Sequence, residues 1–238
     1  MRQSKKSTDC ESCSSKEKGV FCDLEKSDLE EVSDNKVTNF YKKGQTLFFQ
    51  GNPPFGLYCI GEGKVKVSKI GNDGKESIVR VASDGDVLGH RSLFTEQYYT
   101  ATATALEDSR ICFIDKKFIM KAMQKHPSLS FNLISRLSRD LGSAEQKVAS
   151  LFQKNVRERL AELILVLKES YGVSNEDGSF TLNIKLTREE MASMIGTASE
   201  TLIRFMSEFK DDGLITQQGK TIIILDEEAL VDLANLTY

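Results

Sequence analysis

The pattern of apolar and polar residues first predicts a glycine-rich region of short strands. Between Val37 and Cys112, stretches such as YCIGEGKVKVSKI and ESIVRVAS alternate apolar and polar residues around the turn NDGK. This alternation is typical of antiparallel strands joined by hairpins. Nine of the sixteen glycines lie between Gly44 and Gly89, where they separate the strands. The region therefore predicts a jelly roll or small β-barrel of about a hundred residues.

A helical repeat follows the strands. Its apolar residues are spaced by three or four positions: Leu133, Leu137, Leu141, Ala144, Val148 and Leu151. Such a seam has coiled-coil character. We therefore expect a long helix, from about residue 126 to residue 153, that pairs with its copy in a second chain. A helix packed against its own β domain is the alternative.

The stretch 186–215 predicts a helix-turn-helix, with Arg188 at its first helical position. Apolar residues occupy the positions that two crossed helices bury together: Met191, Ile195, Leu202 and Phe205. Ala192 keeps the crossing narrow, and Gly196 supplies the backbone freedom of the turn. An ordinary helical hairpin with a solvated polar face is the alternative.

The second of these helices is expected to run from about Ser199 to Lys210, with Ser199 as its N-cap. Its inward positions are Leu202, Phe205, Met206 and Phe209, so the residues free to contact bases lie near its start. Glutamate accepts from cytosine N4 and arginine binds guanine O6 and N7, each pair discriminating by roughly 1–3 kcal/mol. The candidate DNA-binding residues are Thr197, Ser199, Glu200, Ile203, Arg204 and Lys220.

Lys220 belongs to a predicted wing. After the helix stops at Asp211–Gly213, the stretches LITQQ and TIIIL predict two strands around the turn GK, which places Lys220 near DNA phosphates. Before the helix-turn-helix, a separate helix is expected over 156–169, and YGVSNEDGSF reads as a polar loop.

The charge balance restricts how DNA can be bound. The net charge is −3, and residues 153–238 contain nine Lys or Arg against fifteen Asp or Glu. This excludes a non-specific nucleic-acid coat, which needs a basic surface. Specific binding requires the basic residues to gather on the DNA side: Lys154, Arg157, Arg159, Arg188, Arg204 and Lys220.

Cysteines are the candidate metal ligands. Cys10 and Cys13 have the spacing that lets two thiolates bind one metal or cluster, and Cys22 follows after eight residues. Five cysteines, an odd number, argue against a disulfide framework. A fourth ligand can come only from Cys59, whose default role is an inert buried thiol, or from Cys112.

Other classes of protein are disfavoured. No apolar run approaches the roughly 18 residues of a membrane span, and the start MRQSKKSTDC has no apolar signal region, so we expect a cytoplasmic protein without membrane partners. An enzyme is disfavoured because the two histidines have no recognisable catalytic partner. Phosphate-binding glycine motifs, HExxH and Gly-x-Ser-x-Gly are also absent from the sequence.

A β-roll, a long helix and a winged helix-turn-helix, in this order, resemble the CRP/FNR family of bacterial transcription regulators over nearly the whole chain. The resemblance is carried by KKGQTLFFQGNP, GEGKVKV, GDVLG and TASETLIRF. It implies an α+β fold: a cysteine-containing segment (1–24), a cyclic-nucleotide-binding-like jelly roll (25–125), a dimerisation helix (126–153) and a winged helix-turn-helix (154–238). It also implies a homodimer that binds a palindromic operator and contacts RNA polymerase.

The resemblance carries over two base-reading residues. Glu200 and Arg204 match the glutamate and arginine with which the family reads its half-site. The FNR-like pattern has a serine immediately before this arginine, where this chain has Ile203, so the operator sequence does not carry over.

The resemblance also concerns the effector. The cyclic-nucleotide clamp places an arginine before Ser/Thr-Ala, but this chain has Tyr99 before Thr100, with His90 near the expected acid and Arg91 displaced. Without that guanidinium a buried cyclic phosphate lacks its partner, so cyclic AMP is not expected.

The FNR-like branch instead implies a [4Fe–4S] cluster on Cys10, Cys13, Cys22 and Cys112. The gap of eight residues before Cys22 is longer than in that pattern. This leaves as alternatives zinc, a thiol switch such as the Cys10–Cys13 dithiol, a vestigial set of cysteines that binds nothing, or an unknown small ligand as the effector. Loss of the cluster, for instance to oxygen, would weaken helix pairing and DNA binding.

Overall fold

The computed structural model describes residues 9–72, 74–95 and 97–235. The chain divides into two compact units, Met1–Gly142 and Ser143–Tyr238. Each unit is described separately.

The first unit is a β-roll with helices before, within and after it. Its helices are α1 (Lys26–Asp34), α2 (His90–Thr95) and α3 (Lys116–Lys125), and a 3₁₀ turn spans Lys16–Lys18. Its strands are β1 (Lys36–Tyr41), β2 (Thr46–Phe48), β3 (Gly56–Glu62), β4 (Val65–Ile70), β5 (Glu76–Ala82), β6 (Val87–Leu88), β7 (Thr102–Ala105) and β8 (Ser109–Asp115). They form two antiparallel sheets, ordered β1-β8-β3-β6 and β2-β7-β4-β5. The predicted β-roll is confirmed.

Two apolar clusters hold this unit together. Strand residues from both sheets fill the interior of the roll, where the Phe48 ring stacks on Tyr99 with 4.0 Å between centroids. The second cluster lies outside the roll, where Leu29 of α1 and Ile119 of α3 pack with Leu57 and Ile114 of the strands β3 and β8. Because side chains alternate across a strand, β3 and β8 contribute to both clusters.

The long helix α4 spans Pro127–Gln153, and one residue of the predicted apolar seam faces elsewhere. Leu133 is 1% exposed and packs in the second cluster of the first unit, so the prediction that it pairs with another chain is wrong. The next residue, Ile134, is 57% exposed. With Ile134 in place of Leu133, the apolar residues of α4 form two rows, each with a repeat of seven residues. One row is Ile134, Leu141 and Val148, and the other is Leu137, Ala144 and Leu151.

The second unit is a winged helix-turn-helix. Its elements are α5 (Val156–Tyr171), β9 (Gly172–Ser174), β10 (Phe180–Leu182), α6 (Arg188–Ile195), α7 (Ser199–Asp211), β11 (Ile215–Gln218), β12 (Thr221–Ile224) and α8 (Glu227–Leu233). The strands form one sheet in the order β11-β12-β10-β9.

One predicted loop of this unit is a hairpin. The stretch YGVSNEDGSF contains β9 and the start of β10, which pair antiparallel with Phe180 opposite Ser174. The Asn175 side chain donates to Ser179 Oγ at 2.8 Å and to Thr181 Oγ1 at 3.0 Å across the turn. These strands are three residues long, too short for alternation to reveal them.

Candidate nucleic-acid interface and cysteine site

A capping box begins the first helix of the helix-turn-helix. The Thr187 Oγ1 atom accepts from the Glu190 backbone at 3.1 Å, and Glu190 Oε2 accepts from the Thr187 backbone at 2.9 Å. Two amides that lack partners within the helix are satisfied in this way. Thr-x-x-Glu just before an apolar run is a specific sequence signal for this cap, which apolar spacing alone does not reveal.

The predicted glycine turn is confirmed. Gly196 has φ 68° and ψ 51°, in the left-handed region where a side chain is strained. A Cβ atom at this position would lie 3.3 Å from Leu151 Cδ2. The turn is thus tight for two reasons, its backbone angles and its contact with the last part of α4.

Arg159 ties this turn to the start of α5. Its Nε atom donates to the Ile195 carbonyl at 2.9 Å, and its Nη1 atom donates to the Lys154 carbonyl at 2.7 Å. Charged donors to the last carbonyls of a helix are favourable because these oxygens lack partners within the helix. The end of α6 and the link between α4 and α5 are therefore held by one side chain.

The second helix begins at Ser199, as expected, but with a different N-cap. Ala198 is its N-cap, with extended backbone angles of φ −76° and ψ 150°, and makes no side-chain capping bond. Ser199 is already the first helical residue, so the prediction that it is the N-cap is wrong. It is half-buried, as is Thr197. Both lie at the start of α7, beside the exposed residues that follow.

The two faces of α7 separate as predicted. Leu202, Met206 and Phe209 are at most 1% exposed. Glu200 and Arg204 are exposed and Ile203 is 49% exposed, and the spacing of three and four residues places them on one face. Phe205 was expected inside but is half-buried. The centroid of its ring lies 4.5 Å from the Arg204 guanidinium carbon, so the two side chains form a cation–π contact.

The wing is a hairpin of β11 and β12. Gln218 pairs with Thr221 across a two-residue turn of Gly219, with φ 61°, and Lys220, which is exposed. The wing is also fixed to α6, because Arg188 Nη2 donates to Gln217 Oε1 and Gln217 Nε2 donates to the Gly219 carbonyl at 2.6 Å. Lys220 is thus presented by a turn that α6 holds.

Four of the six basic residues that specific binding would need on the DNA side have partners within the second unit. Lys154 is nearly buried and pairs with Glu162 at 2.9 Å, and Arg157 pairs with Asp212 at 2.8 Å. Arg159 holds backbone carbonyls, as described above. Arg188 binds Gln217 of the wing, so these four side chains already have protein partners, and the placement of all six on the DNA side stays a prediction. Charge counts from sequence do not reveal which pairs form.

The cysteine site begins with a row of side chains across three strands. Cys112 of β8 lies directly opposite Thr38 of β1 on one side and Cys59 of β3 on the other. Directly opposite residues point to the same face of a sheet, with Cβ atoms about 4.5–5.5 Å apart. The Thr38 Oγ1 and Cys112 Sγ atoms are 3.5 Å apart. Cys112 is buried and Cys59 partly buried.

The N-terminal segment lies over this row. The Cys10 amide donates to Ser33 Oγ at 2.8 Å, and Lys36 Nζ donates to Cys10 Sγ at 3.1 Å. Ser15 is buried and donates to the Gly61 carbonyl at 2.8 Å, two residues beyond Cys59. Cys10 and Cys59 pack against the same apolar cluster. The segment is therefore anchored on β3 and beside β1.

The thiol pKa values reflect these neighbours. Burial raises the pKa of Cys59, Cys112 and Cys10 raise it further, and Lys36 opposes them. Burial and then the charge of Asp23 raise the pKa of Cys22. The Cys22 sulfur lies 3.7 Å from Asn132 Nδ2 of α4. Cys22 therefore borders the long helix.

The donor set suits a thiophilic metal centre, since thiolates bind zinc and iron–sulfur clusters. A single tetrahedral zinc would bring thiolate sulfurs to about 3.8 Å from one another, given Zn–S bonds of about 2.3 Å. Within the described residues, the one set of three ligand atoms all within 4.8 Å of one another is Asp28, Glu31 and His126. The cysteine sulfurs of the described residues therefore do not form a set as compact as a single zinc ion requires.

A lysine side chain already neutralises the set of Asp28, Glu31 and His126. Lys125 Nζ lies 3.1 Å from the Asp28 carboxylate and 2.7 Å from that of Glu31. An ion-pair network explains this arrangement without a metal.

A second polar network joins the β-roll to α4 within the first unit. Asp140 accepts from Arg80 at 2.7 Å and from Arg136 at 3.0 Å, and His90 Nε2 lies 3.1 Å from its other oxygen. Arg136 also pairs with Asp86. Burial opposes the charge of Asp140, but the His90 contact and the two arginines hold the pKa of Asp140 below its usual value.

The residue that the family resemblance places at the cyclic-nucleotide clamp is aromatic. Tyr99 is 4% exposed and its ring stacks on Phe48 in the interior of the roll. Arg91 is exposed, and Arg80 forms an ion pair with Asp140.

In the described part of the chain, no helix is both long enough and apolar enough to cross a membrane.

The β-roll and the exposed face of α7 define a class, DNA-binding regulators with a winged helix-turn-helix. Two family models agree: a cyclic nucleotide-binding domain matches residues 38–126, and a Crp-like helix-turn-helix domain matches residues 158–233. The chain belongs to the CRP/FNR family of transcription regulators. Members of this family are not enzymes.

Two relatives and one solved structure illustrate the similarity. The chain is 30% identical over 205 residues to the anaerobic regulatory protein of Bacillus subtilis (strain 168), covering 84% of this chain and 86% of the relative. It is 29% identical over 212 residues to the CRP-like cAMP-activated global transcriptional regulator of Mycobacterium tuberculosis (strain ATCC 25618 / H37Rv), covering 89% and 94%. The structure of FixK2 from Bradyrhizobium japonicum shares the fold, with a TM-score of 0.77 at 20% identity, covering 85% of this chain and 99% of that one.

Proposed function

We propose that this regulator is a homodimer that reads a palindromic operator with α7 and responds to a [4Fe–4S] cluster on its cysteines. The observation that carries the DNA-reading part is the two-faced α7. Glu200, Ile203 and Arg204 are exposed together, whereas the opposite face is buried.

Each exposed residue of α7 has a matching base chemistry. The Arg204 guanidinium binds guanine O6 and N7, and the Glu200 carboxylate accepts from cytosine N4. Ile203, between them on this face, offers an apolar contact to a thymine methyl group. Thr197 and Ser199 lie at the start of the helix and bind phosphate, as does Lys220 at the wing tip. Because the second unit is acidic, affinity depends on these few contacts.

Matched substitutions test this interface. Arg204→Ala should reduce discrimination at one base pair of each half-site by roughly 1–3 kcal/mol. Lys220→Ala should weaken binding to every sequence alike and lower the salt dependence. Lys210→Ala is the control, since Lys210 is exposed at the far end of α7. Gel shifts with single-base operator variants give the answer. Unchanged specific binding in both test variants would refute this docking of α7.

Dimerisation is proposed from the apolar row on α4. Leu141 is 60% exposed and Val148 53%, although both lie in a heptad pattern typical of paired helices. Pairing fixes the separation of the two recognition helices, which must match successive major grooves about 34 Å apart. Leu141→Glu should shift sedimentation toward the monomer and lower operator affinity. Val173→Glu changes a comparably exposed apolar residue of β9 and should do neither.

The cluster proposal rests on the cysteines and on their link to α4. The resemblance implies Cys10, Cys13, Cys22 and Cys112 as ligands. When bound, the cluster supplies iron and sulfide chemistry that responds to redox conditions. Asn132 of α4 donates to the Val20 carbonyl at 3.0 Å and to the Asp23 carboxylate at 2.9 Å, so the N-terminal segment is joined to the pairing helix. A bound cluster would hold this segment more firmly against α4 and favour the paired state, which then binds DNA and contacts RNA polymerase.

Anaerobic purification followed by visible absorption and iron analysis tests the cluster. A colourless, iron-free protein with undiminished operator binding would overturn it. Cyclic AMP is not proposed as the effector, because Tyr99 fills the position of the clamp arginine.

A second candidate, a regulator of the same fold without a cluster, is favoured by the Lys36 contact on Cys10, which places a cation within hydrogen-bond distance of this thiol. In that case the iron-free protein would still change its operator affinity between reduced and oxidised states.

A further inference from the structure

We propose that Cys59 is a ligand of the cluster, together with Cys10, Cys13 and Cys112, and that Cys22 is not. This inference rests on the cluster of the proposed function and changes the ligand set that family resemblance implies. The observation behind it is the juxtaposition of the N-terminal thiol turn with a cross-strand cysteine pair.

The cross-strand pair fixes two of the four ligands. Cys59 and Cys112 are directly opposite on neighbouring antiparallel strands, so their sulfur atoms leave the same face of the sheet. Thr38 extends this row on β1 and contacts Cys112 rather than Cys59. A cluster bound by Cys112 would therefore also lie next to the sulfur atom of Cys59. The rigidity of the sheet holds this arrangement without any metal.

The N-terminal segment brings the other two ligands over this face. Cys13 and Cys10 belong to one turn, in which the Cys13 amide donates to the Cys10 carbonyl at 3.4 Å. Ser33 and Ser15 anchor the segment on either side of the turn, at α1 and at the end of β3. Cys10 then packs against the same apolar cluster as Cys59. The turn and the cross-strand pair thus belong to one site.

The charges around this site suit a set of thiolates. Lys36 projects from the same face as Thr38 and Cys112, because it precedes Thr38 by two residues in β1. Its ammonium group lies 3.1 Å from Cys10 Sγ, where it offsets thiolate charge. Binding the cluster deprotonates all four thiols, and one positive charge already faces them.

Cys22 has a different environment. Its sulfur contacts Asn132 of α4, and the next residue, Asp23, accepts from the same amide group. Asn132 also holds the Val20 carbonyl, so Cys22 belongs to the contact between the N-terminal segment and α4. Its role is to pack the segment rather than to bind iron.

Single cysteine variants of the full chain, purified anaerobically, test the ligand set. Iron and acid-labile sulfide are measured per chain, together with visible absorption. Wild type and Cys22→Ser should each carry about four iron and four sulfide atoms. Cys59→Ser should lose at least half of both, as should Cys112→Ser. Cys59→Ala repeats the test without a buried hydroxyl, and far-UV circular dichroism of all variants confirms that they are folded.

The outcomes separate this inference from the proposed function. A full cluster in both Cys59 variants, with loss in Cys22→Ser, would overturn the ligand set and leave the cluster in place. Loss of iron from folded Cys22→Ser and from both Cys59 variants would also overturn the four-ligand set. Wild-type protein without iron, or with one zinc ion per chain, would overturn the cluster itself. Retention in Cys22→Ser with loss in both Cys59 variants supports the proposal.

Discussion

Replacing Asp140 by asparagine should destabilise the first unit, because this carboxylate is the shared partner of three side chains. Arg80, Arg136 and His90 all contact it within 3.1 Å. The side chain of Asp140 is 18% exposed and that of Arg136 is 19% exposed. An amide retains the shape of the carboxylate but leaves two guanidinium groups without their common counter-charge.

The size of the effect follows from this partial burial. Removing one partner of a fully buried ion pair costs about 3–5 kcal/mol, because the other charge remains unpaired. Water reaches the edge of this network, and Asp86 still pairs with Arg136. We therefore expect the free energy of unfolding to fall by about 2–3 kcal/mol. Urea denaturation followed by far-UV circular dichroism measures it.

Asp108→Asn is the matched control, since it makes the same chemical change at an exposed ion pair. Asp108 pairs with Lys42, and their side chains are 63% and 78% exposed. Exposed pairs of this kind contribute little to stability. The reasoning about the network is wrong if Asp140→Asn is no more destabilising than Asp108→Asn.

The pH dependence has a defined sign. The folded-state pKa of Asp140 is lowered, so its contribution is fully present above the unfolded-state value of about 4. This contribution is lost as the pH falls through the lower, folded-state pKa. The difference in stability between wild type and Asp140→Asn should therefore be constant near neutral pH and narrow below about pH 4. A difference that widens with acid would contradict the shift.

Two further substitutions test the helix-turn-helix. Gly196→Ala should lower the free energy of unfolding by about 1–2 kcal/mol, because φ is positive and the new Cβ meets Leu151, whereas Gly142→Ala in open space should be neutral or stabilising. Equal urea midpoints for these two variants would contradict this reading of the turn. Thr187→Ala should cost about 1 kcal/mol and Thr187→Ser much less, since serine keeps the capping oxygen. If serine and alanine are equally destabilising, the cap contributes nothing.

Local patterns predicted the elements whose causes are local. Gly196 and the strands around Lys220 follow from backbone freedom and alternation within a few residues, and both are confirmed. The exposed face of α7 follows from helical spacing alone. Ser199 was misplaced by one residue because a suitable capping side chain at position 199 does not determine where the extended backbone ends.

Features that depend on distant contacts could not be predicted. Periodicity put Leu133 in the seam, but its burial is decided by α1 and α3, which cover that side of α4. The partners of Lys154 and Arg157 are likewise set by helix packing. Cys59 was ambiguous because strand alternation does not say which face is covered. Ser15 and Cys10, more than forty residues earlier, cover that face.

The guanidinium of Arg159 has a consequence for the entropy of DNA recognition. It joins the carbonyl ends of two segments, and the capping box of α6 fixes the opposite end of the same helix. If α7 reads the operator as proposed, these contacts hold the helix packed beside it before DNA binds, so we expect little conformational entropy to be lost on binding. A preorganised surface of this kind should discriminate between operators by contact chemistry. The heat-capacity change of binding should then carry no added contribution from coupled folding.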